Sequence, residues 1–216
     1  MMRITSASIN RIGIYSSRSI IWNRWITQNS LYSGSLYPFS SSAATTDRKY
    51  KYFRDVEITP DGVAVIRFDG PKSVNTICFE MKDETKKLWK EEISDNNNIK
   101  AVVFLSAKSS GFIAGADITD ISSIDNKAEL IPIIEDGLKL FQSMKAKGVP
   151  LVCGIDGPCL GGGLEWALWC DYRICSDSSK TKMGKRKLPV IKFPFDFHNI
   201  VIPILAHLLH SIKFVS

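Results

Sequence analysis

Short apolar runs alternate with longer amphipathic segments through the middle of the chain. Four of these runs are typical of strands, and the runs at 101–105 and 149–155 are typical of strands that are buried in a sheet. The four runs cover residues 63–68, 101–105, 149–155 and 172–176. The segments at 79–93 and about 128–147 instead place apolar side chains at helical spacing. Strands that alternate with helices predict an α/β fold with crossover connections.

Each predicted helix has an apolar face that should pack on the sheet. The first helix places four large side chains on one face: Met81, Leu88, Trp89 and Ile93. In the second helix, Ile134, Leu138 and Phe141 are in register, and Pro132 falls within the first turn. Before both helices, the turn 60–62 joins residues 56–58 to the strand at 63–68 and predicts a hairpin.

A glycine-rich turn connects the strand at 149–155 to a short helical segment, Leu164–Cys170. Its three consecutive glycines let backbone N–H groups approach a ligand, because no Cβ stands in the way. These N–H groups lie at a helix N-terminus, where the dipole favours negative charge, and Glu165 follows one turn later. The combination favours chemistry on a carbonyl compound, with an ordinary packing turn as the alternative. No Walker or G-x-G-x-x-G spacing is present.

A second loop of small residues, at 110–117, follows the strand at 101–105. Two loops that each follow a strand could direct two N–H donors at one oxygen. The alternative is that Asp117 only caps a short helix.

Together the two loops carry a resemblance to a known family. Ala114–Asp117 and Gly157–Glu165 resemble the paired motifs of the enoyl-CoA hydratase/isomerase (crotonase) superfamily, and Lys72–Thr76 is similar to its first loop. Within the superfamily, the likeness is greatest to the hydratase domain of mitochondrial trifunctional alpha subunits. It runs from about Phe53 to Gly184.

The resemblance implies an α/β fold of the ClpP/crotonase type, built from repeated β-β-α units and incomplete at the C-terminus. It implies an acyl-CoA substrate whose thioester oxygen is held by the N–H groups of Ala116 and Gly162, while Glu165 activates or orients water. No cofactor is implied, because coenzyme A is part of the substrate. The implied substrate-binding residues are Lys72, Ser73, Val74, Asn75, Ala114, Gly115, Ala116, Asp117, Ile118, Gly161 and Gly162.

The net charge of +6 is concentrated at the N-terminus. Residues 1–46 contain four arginines and no acidic residue, whereas the rest of the chain has 24 basic and 22 acidic residues. Such an arm is typical of a mitochondrial transit peptide and predicts the matrix, with an untargeted tail as the alternative. No basic patch with interleaved aromatic residues favours nucleic acid.

The five cysteines form no C-x-x-C pair and mostly lie in apolar runs. This usage predicts buried, reduced thiols and neither a disulfide framework nor a zinc site. No apolar stretch reaches the roughly 18 residues of a transmembrane helix. The sequence leaves membrane association open.

Residues 185–216 depart from the family pattern. Family hydratases carry a second glutamate in a Gly-x-Pro-Glu motif, but no acidic residue lies between Asp177 and Asp196. We therefore expect 47–184 to be the N-terminal part of a hydratase domain and 185–216 to come from a retained intron or gene-model error. The tail also allows an amphipathic segment at 200–209. A metal site at His207 and His210 has weak support and is not predicted.

These features predict an enoyl-CoA hydratase of mitochondrial fatty-acid β-oxidation, impaired because the second glutamate is missing. A non-catalytic acyl-CoA-binding or assembly module is the alternative, as is another crotonase-type isomerase or hydrolase. The expected partners are acyl-CoA and either further copies of the chain or a β-oxidation complex.

Overall fold

A mostly parallel sheet organises the fold. The computed structural model describes residues 48–124, 126–184 and 191–193. The predictions made for residues 1–46, for 185–190 and for 194–216, including His207 and His210, lie outside them. The described strands are β1 (Glu57–Ile58), β2 (Val63–Phe68), β3 (Ala101–Ser106), β4 (Leu151–Ile155), β5 (Pro158–Cys159), β6 (Tyr172–Ser176), β7 (Lys182–Met183) and β8 (Ile191–Phe193).

Four helical elements connect these strands. They are α1 (Phe79–Leu88), which continues as a π-helical turn at Trp89–Ser94, α2 (Ile118–Ser122), α3 (Lys127–Ala146) and α4 (Gly162–Trp169). The main sheet has the strand order β1-β2-β3-β4-β6-β8. Only β1 is antiparallel to its neighbour; the other pairs are parallel. The predicted hairpin and the predicted α/β fold with crossover connections are therefore confirmed.

The parallel order places the functional loops at one edge of the sheet. Strands β2, β3 and β4 run in the same direction, so the segments that follow Phe68, Ser106 and Ile155 all leave from their carboxyl ends. This is the edge at which parallel α/β sheets usually bind ligands. A smaller sheet of β5 and β7, also parallel, lies beyond the glycine turn.

The core lies between the main sheet and the helices. All four apolar side chains predicted for the face of the first helix are buried: Met81, Leu88, Trp89 and Ile93. Strands β2, β3 and β4 are buried along their whole length, which confirms the burial predicted for the runs at 101–105 and 149–155. Among the described residues, no helix is long and apolar enough to cross a bilayer.

The face assigned to the second predicted helix is wrong at two of its three positions, since only the third, Phe141, packs against the core. In α3 the fully buried side chains are Leu140 and Met144, whereas Ile134 and Leu138 are 58% and 42% exposed. The C-terminal half of α3 packs on the sheet, so the buried row is offset from the predicted one. Pro132 also lies inside the helix, beyond its first turn, because α3 begins at Lys127.

Candidate active site

The two loops of small residues meet along their backbones. Phe112 N–H donates to the Pro158 carbonyl at 2.9 Å, and Leu160 N–H donates to the Ile113 carbonyl at 3.1 Å. A Cβ on Gly163 would lie 2.4 Å from the Ile113 oxygen, which is closer than real Cβ atoms come. The third glycine of the turn therefore lets α4 begin directly against the neighbouring loop.

The segment before α1 fixes the direction of the Ala116 N–H group. Ala114 N–H donates to Asn75 O, Ile77 N–H to Gly115 O and Asp117 N–H to Ile77 O, each at 2.8 Å. In such a ladder the residue between two bonded partners turns its own N–H to the opposite side. Ala116 is that residue, so its N–H points away from the 75–77 segment.

The N–H groups of Ala116 and Gly162 are neighbours. A Cβ built on Gly162 would lie 3.6 Å from Ala116 N, and one built on Gly115 would lie 3.9 Å from Gly162 N. Neither N–H donates a hydrogen bond within the part of the chain that the structure describes. Two adjacent, unused donors, of which Gly162 lies at the N-terminus of α4, can stabilise an oxyanion. The structure thus brings the two predicted donors together, and their catalytic role stays a prediction.

Glu165 lies in the first turn of α4, three residues after Gly162, and its side chain is exposed. Its carboxylate makes no hydrogen bond or ion pair to another described residue, so it is available to water or a ligand. Cys159, which precedes the glycines, is an unsuitable nucleophile because burial raises the pKa of its thiol to about 12. All five cysteines are free, and four are buried, which confirms the prediction of buried thiols.

A cleft of about 320 Å³ lies beside the 70–80 segment. Three of the predicted coenzyme A-binding residues, Lys72, Val74 and Asp117, line it. Its remaining lining residues are Tyr52, Gly70, Pro71, Thr76, Cys78, Phe79, Glu80, Thr119 and Asp120. Gly162 and Glu165 are not part of this lining. Sequence reasoning missed Tyr52 and Thr119, which carry no motif of their own.

Asp117 lines the cleft and also belongs to the loop at 110–117. Its carboxylate accepts from Lys72 Nζ at 2.5 Å, from Thr76 Oγ1 at 3.1 Å and from the Thr119 N–H at 3.1 Å. The last bond makes Asp117 the N-cap of α2, as expected if it caps a short helix, and this cap leaves the N–H of Ala116 unused. Chiefly the hydrogen bond from Lys72 lowers the pKa of Asp117 to about 2, and Asp117 in turn raises the pKa of Lys72.

Acid should loosen this region through Asp117. Because its pKa is lower in the folded chain than the usual value of about 3.9, its stabilising contribution is present above about pH 4. The contribution is lost as the pH falls through about 2. We expect Asp117→Asn to lower stability at neutral pH and to make the loss of stability between about pH 4 and pH 2 shallower. Denaturant titrations across this range measure both, and an unchanged slope would contradict the expectation.

Lys108 forms hydrogen bonds to the loop at 70–72, which lines the cleft. Its half-buried ammonium group donates to the carbonyl oxygens of Gly70 and Lys72. This contact links the end of β3 to the loop after β2. The sequence gives no local signal for it, because the partners are 38 and 36 residues apart.

Comparison with known proteins supplies the deciding observation. The sequence profile of the enoyl-CoA hydratase/isomerase family matches residues 59–193, which is more than half of the chain. The chain belongs to the enoyl-CoA hydratase/isomerase family. The matched range contains both loops, Glu165 and the strand β8. Membership makes the chain an enzyme by family.

Relatives of this hydratase/isomerase-family chain are named as subunits of a fatty acid oxidation complex. It is 41% identical over 138 residues to the fatty acid oxidation complex subunit alpha of Idiomarina loihiensis, a match that covers 63% of the chain and 19% of that protein. It is 34% identical over 161 residues to the subunit of the same name in Vibrio campbellii, covering 74% and 23%. The matches thus span about a fifth of the length of these relatives.

Similar solved structures support the fold. DspI of Pseudomonas aeruginosa is 26% identical with a TM-score of 0.51, covering 62% of this chain and 49% of that one. An enoyl-CoA hydratase from Thermoplasma volcanium is 22% identical with a TM-score of 0.53, covering 60% and 50%. At the latter identity the likeness shows the fold alone. The crotonase-type fold predicted from the motifs is confirmed.

Proposed function

We propose that the chain carries the site for reversible hydration of a trans-2-enoyl-CoA, a step of fatty-acid β-oxidation. The observation that supports this most directly is the pair of unused N–H donors, Ala116 and Gly162, one helical turn from the free carboxylate of Glu165. The cleft beside Lys72 and Asp117 would take part of the coenzyme A moiety.

The chemistry of hydration matches this arrangement. Water adds through its oxygen to C3 of the enoyl thioester, and the electron pair of the double bond moves toward the carbonyl oxygen as an enolate. Donors already aimed at that oxygen stabilise the charge, and each contributes about 3–4 kcal/mol in comparable sites. The enolate then collapses as C2 takes a proton. Glu165 would accept the proton of water or orient the water for attack.

The reaction needs proton transfer at two positions, and Glu165 can serve one of them. Family hydratases use a second glutamate, yet no acidic residue lies between Asp177 and Asp196. Loss of one general acid/base group typically lowers the rate by about 10²–10⁴. We propose that this chain binds trans-2-enoyl-CoA and hydrates it slowly.

The chain should therefore bind its substrate but turn it over slowly. We expect calorimetric titration to detect crotonyl-CoA binding, while hydration is about 10²–10⁴ slower than for the Idiomarina loihiensis subunit measured in parallel. Glu165→Gln, which keeps the side-chain shape, should lower any residual rate further without abolishing binding. Turnover close to that of the Idiomarina loihiensis subunit would refute the proposed impairment. A folded chain that does not bind crotonyl-CoA would refute the proposed site.

A non-catalytic acyl-CoA-binding module is the second candidate, and the missing second acid is the observation that favours it. In that case crotonyl-CoA binds but Glu165→Gln changes no rate, because there is no enzymatic rate to lower. Product analysis after incubation with enoyl-CoA would identify a crotonase-type isomerase or hydrolase.

The cellular setting is a further part of the proposal. The acid-free arm at residues 1–46 supports import into the mitochondrial matrix. Import and cleavage by isolated mitochondria test it, and an uncleaved chain left outside would contradict it. The names of the two relatives support membership of a fatty acid oxidation complex.

A further inference from the structure

Asn75 lies where three segments of the fold meet, and its side-chain amide is buried. Its Nδ2 group donates to Phe68 O at 3.3 Å, to Ser106 Oγ at 3.0 Å and to Phe112 O at 3.0 Å. Its Oδ1 atom accepts from the Gly70 N–H at 3.2 Å. Phe68 and Ser106 are the last residues of β2 and β3, so the amide joins two strand ends to Phe112 in the loop at 110–117.

Because of these bonds, the Asn75 side chain has no unused donor or acceptor for a ligand. Asn75 is only 5% exposed, and both ends of its amide already bond to protein. Lys72 and Ser73 of the same loop are exposed, by contrast. The resemblance groups Asn75 with the coenzyme A-binding residues, but its surroundings give it a different task from that of Lys72.

The main chain of Asn75 holds the same loop a second time. Its carbonyl accepts a hydrogen bond from the Ala114 N–H at 2.8 Å. Ala114 lies two residues after Phe112, whose carbonyl accepts from the Asn75 side chain. Ile77 continues the ladder by bonding to Gly115 and Asp117. One residue thus fixes the start of the ladder that turns the Ala116 N–H toward Gly162.

We propose that Asn75 is a positioning residue: it sets the direction of the Ala116 N–H donor without touching the ligand. The inference rests on the proposed function, because it concerns a thioester oxygen held between Ala116 and Gly162. Loosening Asn75 should weaken polarisation of that carbonyl and leave recognition of the coenzyme A moiety intact.

A chromophoric ligand separates these two effects. The conjugated carbonyl of trans-cinnamoyl-CoA absorbs at longer wavelength when its oxygen accepts hydrogen bonds. Its absorption shift therefore measures the donors, and calorimetric affinity for free coenzyme A, which has no thioester, measures the rest of the site. We expect Asn75→Ser to lose roughly half of the shift or more, while affinity for free coenzyme A changes by less than about threefold.

The matched control is Ser110→Ala. This change removes a 2.8 Å hydrogen bond from Ser110 Oγ to the Ser73 carbonyl in the same loop as Asn75, but outside the Ala116 ladder. Ser110→Ala should keep the full absorption shift. A comparable loss of shift in both variants would mean that any loosening of the loop disturbs the donors, and this would overturn a specific role for Asn75.

The remaining outcomes are also decisive. If the folded parent chain gives no shift, the proposed function fails before Asn75 is tested. If the parent shifts the chromophore and folded Asn75→Ser shifts it equally, the positioning role is overturned. A loss of free coenzyme A affinity beyond about tenfold would make Asn75 a ligand contact. If circular dichroism shows that Asn75→Ser does not fold, Ser106→Ala, which removes one acceptor of the amide, takes its place under the same criteria.

Discussion

Trp166→Ala is expected to lower the free energy of unfolding by about 3–5 kcal/mol, the usual cost of removing a buried aromatic side chain. Trp166 is 3% exposed and is carried by α4. Its ring makes edge-to-face contacts with Phe68, Phe104 and Phe141, with centroid distances of 5.1, 5.4 and 5.1 Å. The alanine variant would lose three aromatic contacts and leave a cavity between the sheet, α3 and α4.

The loss should also reach the candidate site. Trp166 directly follows Glu165 and lies one turn after Gly162, so its packing fixes where the N-terminus of α4 stands. Thermal unfolding measured by circular dichroism should show a fall in Tm of about 10 °C or more. Leu168→Ala is the matched control, because Leu168 is on the same helix but 50% exposed. It should cost less than about 0.5 kcal/mol. Equal effects of the two changes would contradict the central role of Trp166.

The main strands and the first helix could be predicted because each has a strong local pattern. The apolar runs of β2, β3 and β4 are continuous, and the face of α1 repeats at helical spacing. The small sheet could not be predicted in this way. Its strands β5 and β7 have two residues each, which is too short for any period to appear.

The error in α3 has a different origin. This helix carries two apolar rows, one with Ile134 and Leu138 and the other with Leu140 and Met144. Hydrophobic period identifies a helix with either row, but only the position of the sheet decides which row is buried. In the candidate site, too, local motifs could be recognised from the sequence, whereas long-range contacts could not. Gly162, Glu165 and Ala116 lie in recognisable local motifs, whereas the bond from Asn75 to Phe112 joins residues 37 apart and has no local signal.

Gly163→Ala should separate the two loops of the candidate site. A Cβ at this position would lie 2.4 Å from Ile113 O, 2.7 Å from Ile113 Cβ and 3.0 Å from Ile113 C. Because two of these atoms belong to the backbone, rotating a side chain cannot relieve the overlap. Either α4 or the 112–113 segment must move, which strains the bonds from Leu160 to Ile113 and from Phe112 to Pro158. Overpacking and two weakened hydrogen bonds together cost about 3–5 kcal/mol.

Gly162→Ala distinguishes this packing effect from an effect on the donors. Its Cβ would meet the Ile77 Cδ1 atom at 3.1 Å, the far end of a flexible side chain, so the fold should tolerate the change within about 1 kcal/mol. The same methyl group would stand 3.6 Å from Ala116 N, in the space that a thioester oxygen would need.

Gly162→Ala should therefore keep the parent's stability in denaturant titrations but lose the absorption shift of bound cinnamoyl-CoA. Gly163→Ala should lose both. If folded Gly162→Ala keeps the full absorption shift, the thioester oxygen does not lie between Ala116 and Gly162. If Gly163→Ala is as stable as the parent, the two loops can move apart at little cost in free energy.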